Sequence, residues 1–214
     1  WLEDLSGHLS DEGSLGQVLA WLASEITGDE LLREIRQASD RISELVGAVK
    51  SYSHMDKASQ KEVDVNEGLE STLVMLGHKL KKGNVRVTRE YEEGLPRVCA
   101  SGSELNQVWT NLIDNAIDAV AGDGHIGVRT ASENGRVLVE ISDDGPGIPE
   151  EIRERIFEPF FTTKDVGKGT GIGLEIAHRV VVEELGGDIR VASQPGDTRF
   201  QVRLPVGPAE RAES

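Results

Sequence analysis

The chain has 214 residues and a formal charge of −15, with 37% apolar, 29% charged and 4% aromatic residues. That length makes one or two domains with a real core. The orderly apolar runs exclude disorder throughout, and no stretch approaches the roughly 18 apolar residues of a membrane span. Nothing has the pattern of a signal peptide. The acidic balance argues against nucleic-acid binding, which needs a basic face, and the single cysteine, Cys99, cannot form an internal disulfide.

In chain order, residues 1–28 read as short helical pieces: Leu15, Val18, Leu19, Leu22 and Ile26, punctuated by Gly13, Gly16 and Gly28. Residues 29–61 read as a long heptad helix and its linker. Leu31, Ile35, Ala38, Ile42, Leu45, Val49 and Tyr52 alternate in steps of four and three, the seam of a coiled coil or four-helix bundle. One helix cannot bury such a stripe, so it packs on 1–27 or meets a second chain. Residues 1–27 carry no matching heptad, which favours a homodimer through the 29–57 helix.

A second domain spans 62–206, followed by a frayed tail at 207–214. A helix is expected over 66–82, with Leu69, Leu73, Leu76 and Leu80 on one face, and a strand over 84–90. Ser101 and Glu104 form a capping-box pattern that opens a helix to about 121. Strands follow at 125–131 and 136–142, joined by a turn at 132–135. A loop-rich stretch runs over 143–169, then a helix to 185 that stops at Gly186-Gly187. A last hairpin pairs 188–193 with 198–204. Hairpins interrupted by helices predict one mixed sheet with helices on one face.

Four segments carry chemistry. On the helix at 103–121, Gln107, Asn111, Asn115 and Asp118 share one stripe. Asparagine is a poor interior helix residue, so two of them one turn apart point to a use for their amides. A carbonyl oxygen is a hard ligand suited to magnesium alongside phosphate oxygens. Next, Asp143-Asp144-Gly145-Pro146-Gly147-Ile148-Pro149 follows directly on a strand. Alone it reads equally as an Asp-Gly turn. As a site, its carboxylate would accept from the amino group of adenine and repel the carbonyl of guanine. Phe157, Phe160 and Phe161 then cluster around Pro159 as an anchor for a loop that ends in Lys164. Lys164 is either a solvated lysine or a phosphate contact. Finally, Gly167-Lys168-Gly169-Thr170-Gly171-Ile172-Gly173-Leu174 opens a helix and exposes backbone N–H groups to an anion. It is neither a P-loop nor a dinucleotide fingerprint.

Together and in this order, the segments resemble the N, G1, F and G2 boxes of sensor histidine kinases. Gly196-Asp197-Thr198-Arg199-Phe200 resembles the closing strand pair of the same family. The resemblance covers about 62–206, and the 29–57 helix resembles the second helix of that family's dimerisation domain. It implies an α/β two-layer sandwich of the Bergerat ATP-binding type, shared with gyrase-, MutL- and Hsp90-type ATPases, preceded by a helical dimerisation segment.

By position, the resemblance implies that Asn115 ligates Mg2+ and that Asn111 contacts phosphate or bound water, these two being the catalytic pair. Asp143 would hold the adenine amino group, with Gly147 and Ile148 beside the ring and Thr198 below it. Lys164 and the backbone of Gly167, Lys168, Gly169, Thr170, Gly171, Ile172, Gly173 and Leu174 would hold the phosphates. Asp118, Ala119, Gly145 and Phe160 would also line the nucleotide. ATP-hydrolysing relatives carry Glu where Asn111 stands, and an amide cannot take a proton from water.

The resemblance therefore implies transfer of the ATP γ-phosphoryl group to a histidine, for relay to a response regulator receiver domain in the cytoplasm, with any membrane tether upstream. The family's acceptor motif is absent: neither His8 nor His54 has the following Glu. The chain opens on Trp1 and reads as a fragment, so the acceptor is expected before Trp1. Two other readings stand beside this one. One is a Bergerat-fold ATPase or an anti-sigma-type Ser/Thr kinase. The other is a non-catalytic dimer module that senses nucleotide.

Overall fold

The computed structural model describes residues 61–120, 122–164 and 169–207. The short helical pieces, the heptad helix, Gly167, Lys168 and most of the tail lie outside the described residues. All described residues except Lys164 belong to one compact unit.

Strand β1 (Lys61–Val63) leads into α1 (Val65–Met75), which starts where the side chain of Asp64, in extended backbone, accepts from Glu67 N–H. α1 buries Val65, Leu69, Thr72 and Leu73. The single helix expected over 66–82 is two: α1 ends at Leu76, and α2 (Gly77–Lys82) restarts at a glycine, the weakest ordinary helix former. Leu76 and Leu80 remain buried across the break. Asn84 then takes a left-handed conformation, so β2 (Arg86–Glu90) begins two residues later than expected.

β3 (Val98–Ala100) pairs antiparallel with β1 as a separate two-stranded sheet that the sequence reading did not anticipate. Next comes α3 (Gly102–Val120), whose Leu105, Val108, Trp109, Leu112, Ile113, Ala116 and Ile117 are all buried. At its start the Ser101 hydroxyl lies 2.9 Å from Ser103 Oγ, while the Ser101 carbonyl accepts from Leu105 N–H.

β4 (His125–Glu133) and β5 (Arg136–Asp143) form a hairpin whose turn is Asn134-Gly135, both at positive φ. That tight turn twists with the strands, so β4 runs two residues beyond the expected end. Two single 3-10 turns follow, Glu150–Ile152 and Arg155–Phe157. α4 (Gly173–His178) continues as a π turn, Arg179–Glu184. β6 (Asp188–Gln194) and β7 (Asp197–Pro205) close the fold around Pro195-Gly196.

The main sheet runs β2-β4-β5-β7-β6, with β2 parallel to β4 and the other neighbours antiparallel. α3 packs on β5 and β4, flanked by α1 and α4. This is the expected two-layer sandwich on a mixed sheet, with the separate β1–β3 pair added to it. Strand alternation gives the sheet an inner row. Val137, Val139 and Ile141 of β5 stand opposite Leu204, Val202 and Phe200 of β7, and all six are buried. The next pair in that row is Asp143 opposite Thr198.

Candidate functional site

The alternation that buries Val139 and Ile141 also drives Asp143 inward. It ends an apolar row as a carboxylate, and the residue is only 6% exposed. Its Oδ1 accepts from Gly145 N–H at 3.0 Å. Burial pushes its pKa above the ordinary aspartate value. The Gly145 N–H pulls it back, and the charges of Asp144 and Asp197 push it up further. Asp144, one residue on, faces outward, and its Oδ1 accepts from His125 N–H at 2.8 Å. Two adjacent carboxylates thus have separate roles: one pins a strand end, the other sits in a hollow.

The loop after β5 is seated on the last hairpin. Gly145 O accepts from Gly196 N–H at 2.8 Å, and Ile148 N–H donates to Ser193 Oγ at 2.7 Å. Gly147 has φ of 83°, and a Cβ there would lie 2.8 Å from the Gln194 carbonyl carbon, so only glycine fits. At Gly145 a Cβ would meet Ala119 at 3.1 Å. Asp143, Gly145, Gly147, Ile148, Ala119 and Thr198 therefore come together at one end of the sheet, where the C-terminus of α3 meets the loop.

Further back along α3, Asn111 Oδ1 accepts from Gln107 Nε2 at 3.3 Å. Asn111 Nδ2 is buried and has no hydrogen-bond partner among the described residues. Such a donor costs about 1–3 kcal/mol until something fills it. Gly173, the first residue of α4, abuts this amide: a Cβ there would stand 3.4 Å from Asn111 Cγ. Gly171, at φ of 70°, lies so close to the backbone of Phe160 and Phe161 that a Cβ would be 2.5 Å from the Phe160 carbonyl carbon. The segment Gly169, Thr170, Gly171, Ile172, Gly173 and Leu174 is half-buried between the phenylalanine loop and α3. On the same stripe of α3, Asn115 is half-buried and Asp118 exposed.

Two of the three phenylalanines anchor the loop as expected. Phe157 lies against the His178 ring at 5.3 Å between centroids, and Phe161 lies under the Arg155 guanidinium at 4.6 Å. Phe160 does not: it is 69% exposed, at positive φ. Its left-handed backbone turns the ring away from the core and leaves its carbonyl against Gly171. Lys164 belongs outside the compact unit, so its place relative to these groups is not part of this site's geometry.

Sequence reasoning missed two residues that hold the site, Ser193 and Arg153. Arg153 donates through Nε to Ile148 O at 3.0 Å and through Nη2 to Ser193 O at 2.5 Å. The Ser193 hydroxyl lies 2.8 Å from Thr198 Oγ1. The two-residue turn of the last hairpin sets Ser193 directly opposite Thr198, a register that would have pointed to Ser193.

Residues 100–208 match the family of histidine kinase-, DNA gyrase B- and HSP90-like ATPases. The chain is 32% identical over 194 residues to the sensory histidine kinase/phosphatase NtrB of Rhodobacter capsulatus, covering 85% of this chain and 54% of that protein. It thus spans about half the length of that relative. Its fold is similar to the solved catalytic domain of histidine kinase ThkA, with a TM-score of 0.66 and 34% identity over 72% of this chain and 99% of that one. It is also similar to ThkA solved in complex with the response regulator TrrA, with a TM-score of 0.68 and 27% identity over 98% of this chain and 57% of that one. The buried carboxylate, the amide N–H without a partner among the described residues and the glycine-seated loops therefore lie in a chain that belongs to the family of histidine kinase-, DNA gyrase B- and HSP90-like ATPases.

Proposed function

We propose that this chain is the ATP-binding catalytic region of a sensor histidine kinase, with 62–206 as its nucleotide domain. It transfers the γ-phosphoryl group to a histidine for relay to a response regulator. The observation that carries this reading is the pairing of a buried carboxylate acceptor, Asp143, with a buried donor, Asn111 Nδ2, that has no partner among the described residues. A carboxylate among Ala119, Ile148 and Thr198 suits the amino edge of adenine. An Asn111 N–H with no partner among the described residues, on a side-chain amide that Gly173 abuts, suits a phosphate oxygen or its water.

Phosphoryl transfer is mainly positioning and charge neutralisation. Asp143 fixes the base, and the backbone from Gly169 to Gly173 steers the phosphate chain at the start of α4. Lys164, Gly167 and Lys168 are proposed as further phosphate contacts on the motif resemblance alone. Among the described residues no cluster of three His, Cys, Asp or Glu side chains could hold a metal. The donor that fits a divalent ion is Asn115 Oδ1, completed by phosphate and water oxygens as magnesium prefers. Mg2+, when bound, neutralises charge on the phosphates.

Asn111 sets this reading apart from that of an ATPase, because its amide cannot accept a proton from an attacking water. The homodimer is proposed from the heptad pattern of 29–57, and the response regulator from the ThkA–TrrA likeness. No helix among the described residues is long and apolar enough to cross a membrane, and we place this region in the cytoplasm, where ATP is available.

Incubation with γ-labelled Mg-ATP tests the reading, on this chain and on a version extended upstream. Acid-labile, base-stable label on the extended protein supports a histidine kinase. Rapid phosphate release with no labelled protein from either overturns it in favour of an ATPase.

A further inference from the structure

Arg153 stands outside the four boxes, yet it joins the two segments that form the base end of the site. It follows the 3-10 turn Glu150–Ile152, and its own N–H closes that turn on Glu150 O at 3.3 Å. Its guanidinium then spans two main-chain carbonyls from different parts of the chain: Ile148 O on the loop and Ser193 O on β6. A planar fork with fixed donors suits two acceptors at a set separation, which a flexible ammonium does not.

The hydrogens can be followed from there. Ser193 Oγ accepts from Ile148 N–H and lies 2.8 Å from Thr198 Oγ1, with Ser193 and Thr198 only 8% and 3% exposed. A hydroxyl has one hydrogen. Either the Ser193 or the Thr198 hydroxyl can donate across their 2.8 Å contact. The contact fixes Thr198 in the hollow, where Asp143 stands opposite it on β5.

We propose that Arg153 is a positioning residue for adenine. By clamping Ile148 and Ser193 it fixes the loop beside the base and, through the Ser193 hydroxyl, the place of Thr198 opposite Asp143. This rests on the adenine reading above. Arg153 touches neither base nor phosphate; its effect falls on the register between the base and Asp143.

The test compares ATP with purine riboside triphosphate, which lacks the amino group that Asp143 would hold. Affinities are measured by calorimetry on the wild-type chain and on R153A, R153K and S193A. In R153A the affinity for ATP should fall about tenfold, the lower worth of a hydrogen bond to a charged group. Its affinity for the analogue should change less than about threefold, because the bond at stake is one the analogue cannot make. R153K keeps the charge but not the fork and should lose the preference too. S193A removes only the hydroxyl and should reproduce the loss, which keeps the proposal testable if R153A does not fold.

Equal weakening of both nucleotides in the variants would make the clamp merely structural and overturn the proposal. So would a full preference retained in R153K or in S193A. A wild-type chain that binds neither nucleotide would instead sink the ATP reading itself.

Discussion

Replacing Asp143 by asparagine separates binding from folding, because the two should move in opposite directions. Asparagine keeps an Oδ1 that can accept from Gly145 N–H, the bond seen at 3.0 Å. What it loses is the charge that would accept from the amino group of adenine. A hydrogen bond to a charged group is worth about 1.5–3 kcal/mol, so ADP should bind roughly 10- to 150-fold more weakly.

Stability should behave otherwise. Burial raises the Asp143 pKa above its ordinary value, so the fold favours the protonated acid. The stability that this proton contributes is fully present below the ordinary aspartate pKa, at about 4. It is lost as pH rises through the higher folded value. At neutral pH the native chain carries the cost of a buried charge, and Asp143→Asn removes it. Without nucleotide the variant should melt at or above the wild-type temperature at pH 7, and the difference should close as the solution is acidified. Calorimetry with ADP and melting curves at the two pH values measure both effects. Undiminished ADP affinity would refute the adenine assignment. A variant that melts well below wild type at neutral pH would make the carboxylate a structural group.

Asn115→Ala should make nucleotide binding less dependent on magnesium; an unchanged magnesium titration would place the metal elsewhere. Gly171→Ala should cost more than the roughly 1 kcal/mol of an alanine forced to positive φ, because its Cβ would also strike the Phe160 carbonyl carbon at 2.5 Å. Gly196→Ala, at φ of 84° with nothing near its Cβ, should show the backbone cost alone in the same urea titrations. Trp109 is fully buried, yet its Nε1 has no partner among the described residues. Trp109→Ala should therefore lose about 3–5 kcal/mol in denaturant unfolding. Trp109→Phe should lose clearly less, since no hydrogen bond goes with it.

What was legible in the sequence was what local chemistry decides. Asn134-Gly135 sets the register of β4 on β5, and from it alternation carries Val137, Val139 and Ile141 inward and Asp143 with them. The apolar stripe of α3 is equally local, and with it the odd amides on the other side. Contacts that join distant segments were not legible. β1 and β3 have three residues each, too few to show a period, and exist because they find one another across more than thirty residues. Arg153 and Ser193 act on main-chain carbonyls and a loop N–H, which leave no mark in a pattern of side chains. The break at Leu76 was a contest between a continuous leucine stripe and Gly77. The glycine won because Leu76 and Leu80 stay buried either way.

The site is built at a local loss that the core carries. Asp143 is a buried carboxylate with a raised pKa, and Asn111 Nδ2 is a buried donor with no partner among the described residues. Each such group costs a few kcal/mol at most, against a total stability of about 5–15 kcal/mol for an ordinary domain. Neither loss is needed to make a sandwich: an apolar residue at 143 would continue the row of Val137, Val139 and Ile141, and the fold needs no amide at 111. An adenine amino group on the first and a phosphate oxygen or water on the second would remove both together. That gain would appear in Kd, and nucleotide at a hundredfold excess over Kd would then stabilise the chain by about 2.7 kcal/mol. One helix would link the base and the phosphates, because Ala119 at the loop and Asn111 at Gly173 both belong to α3.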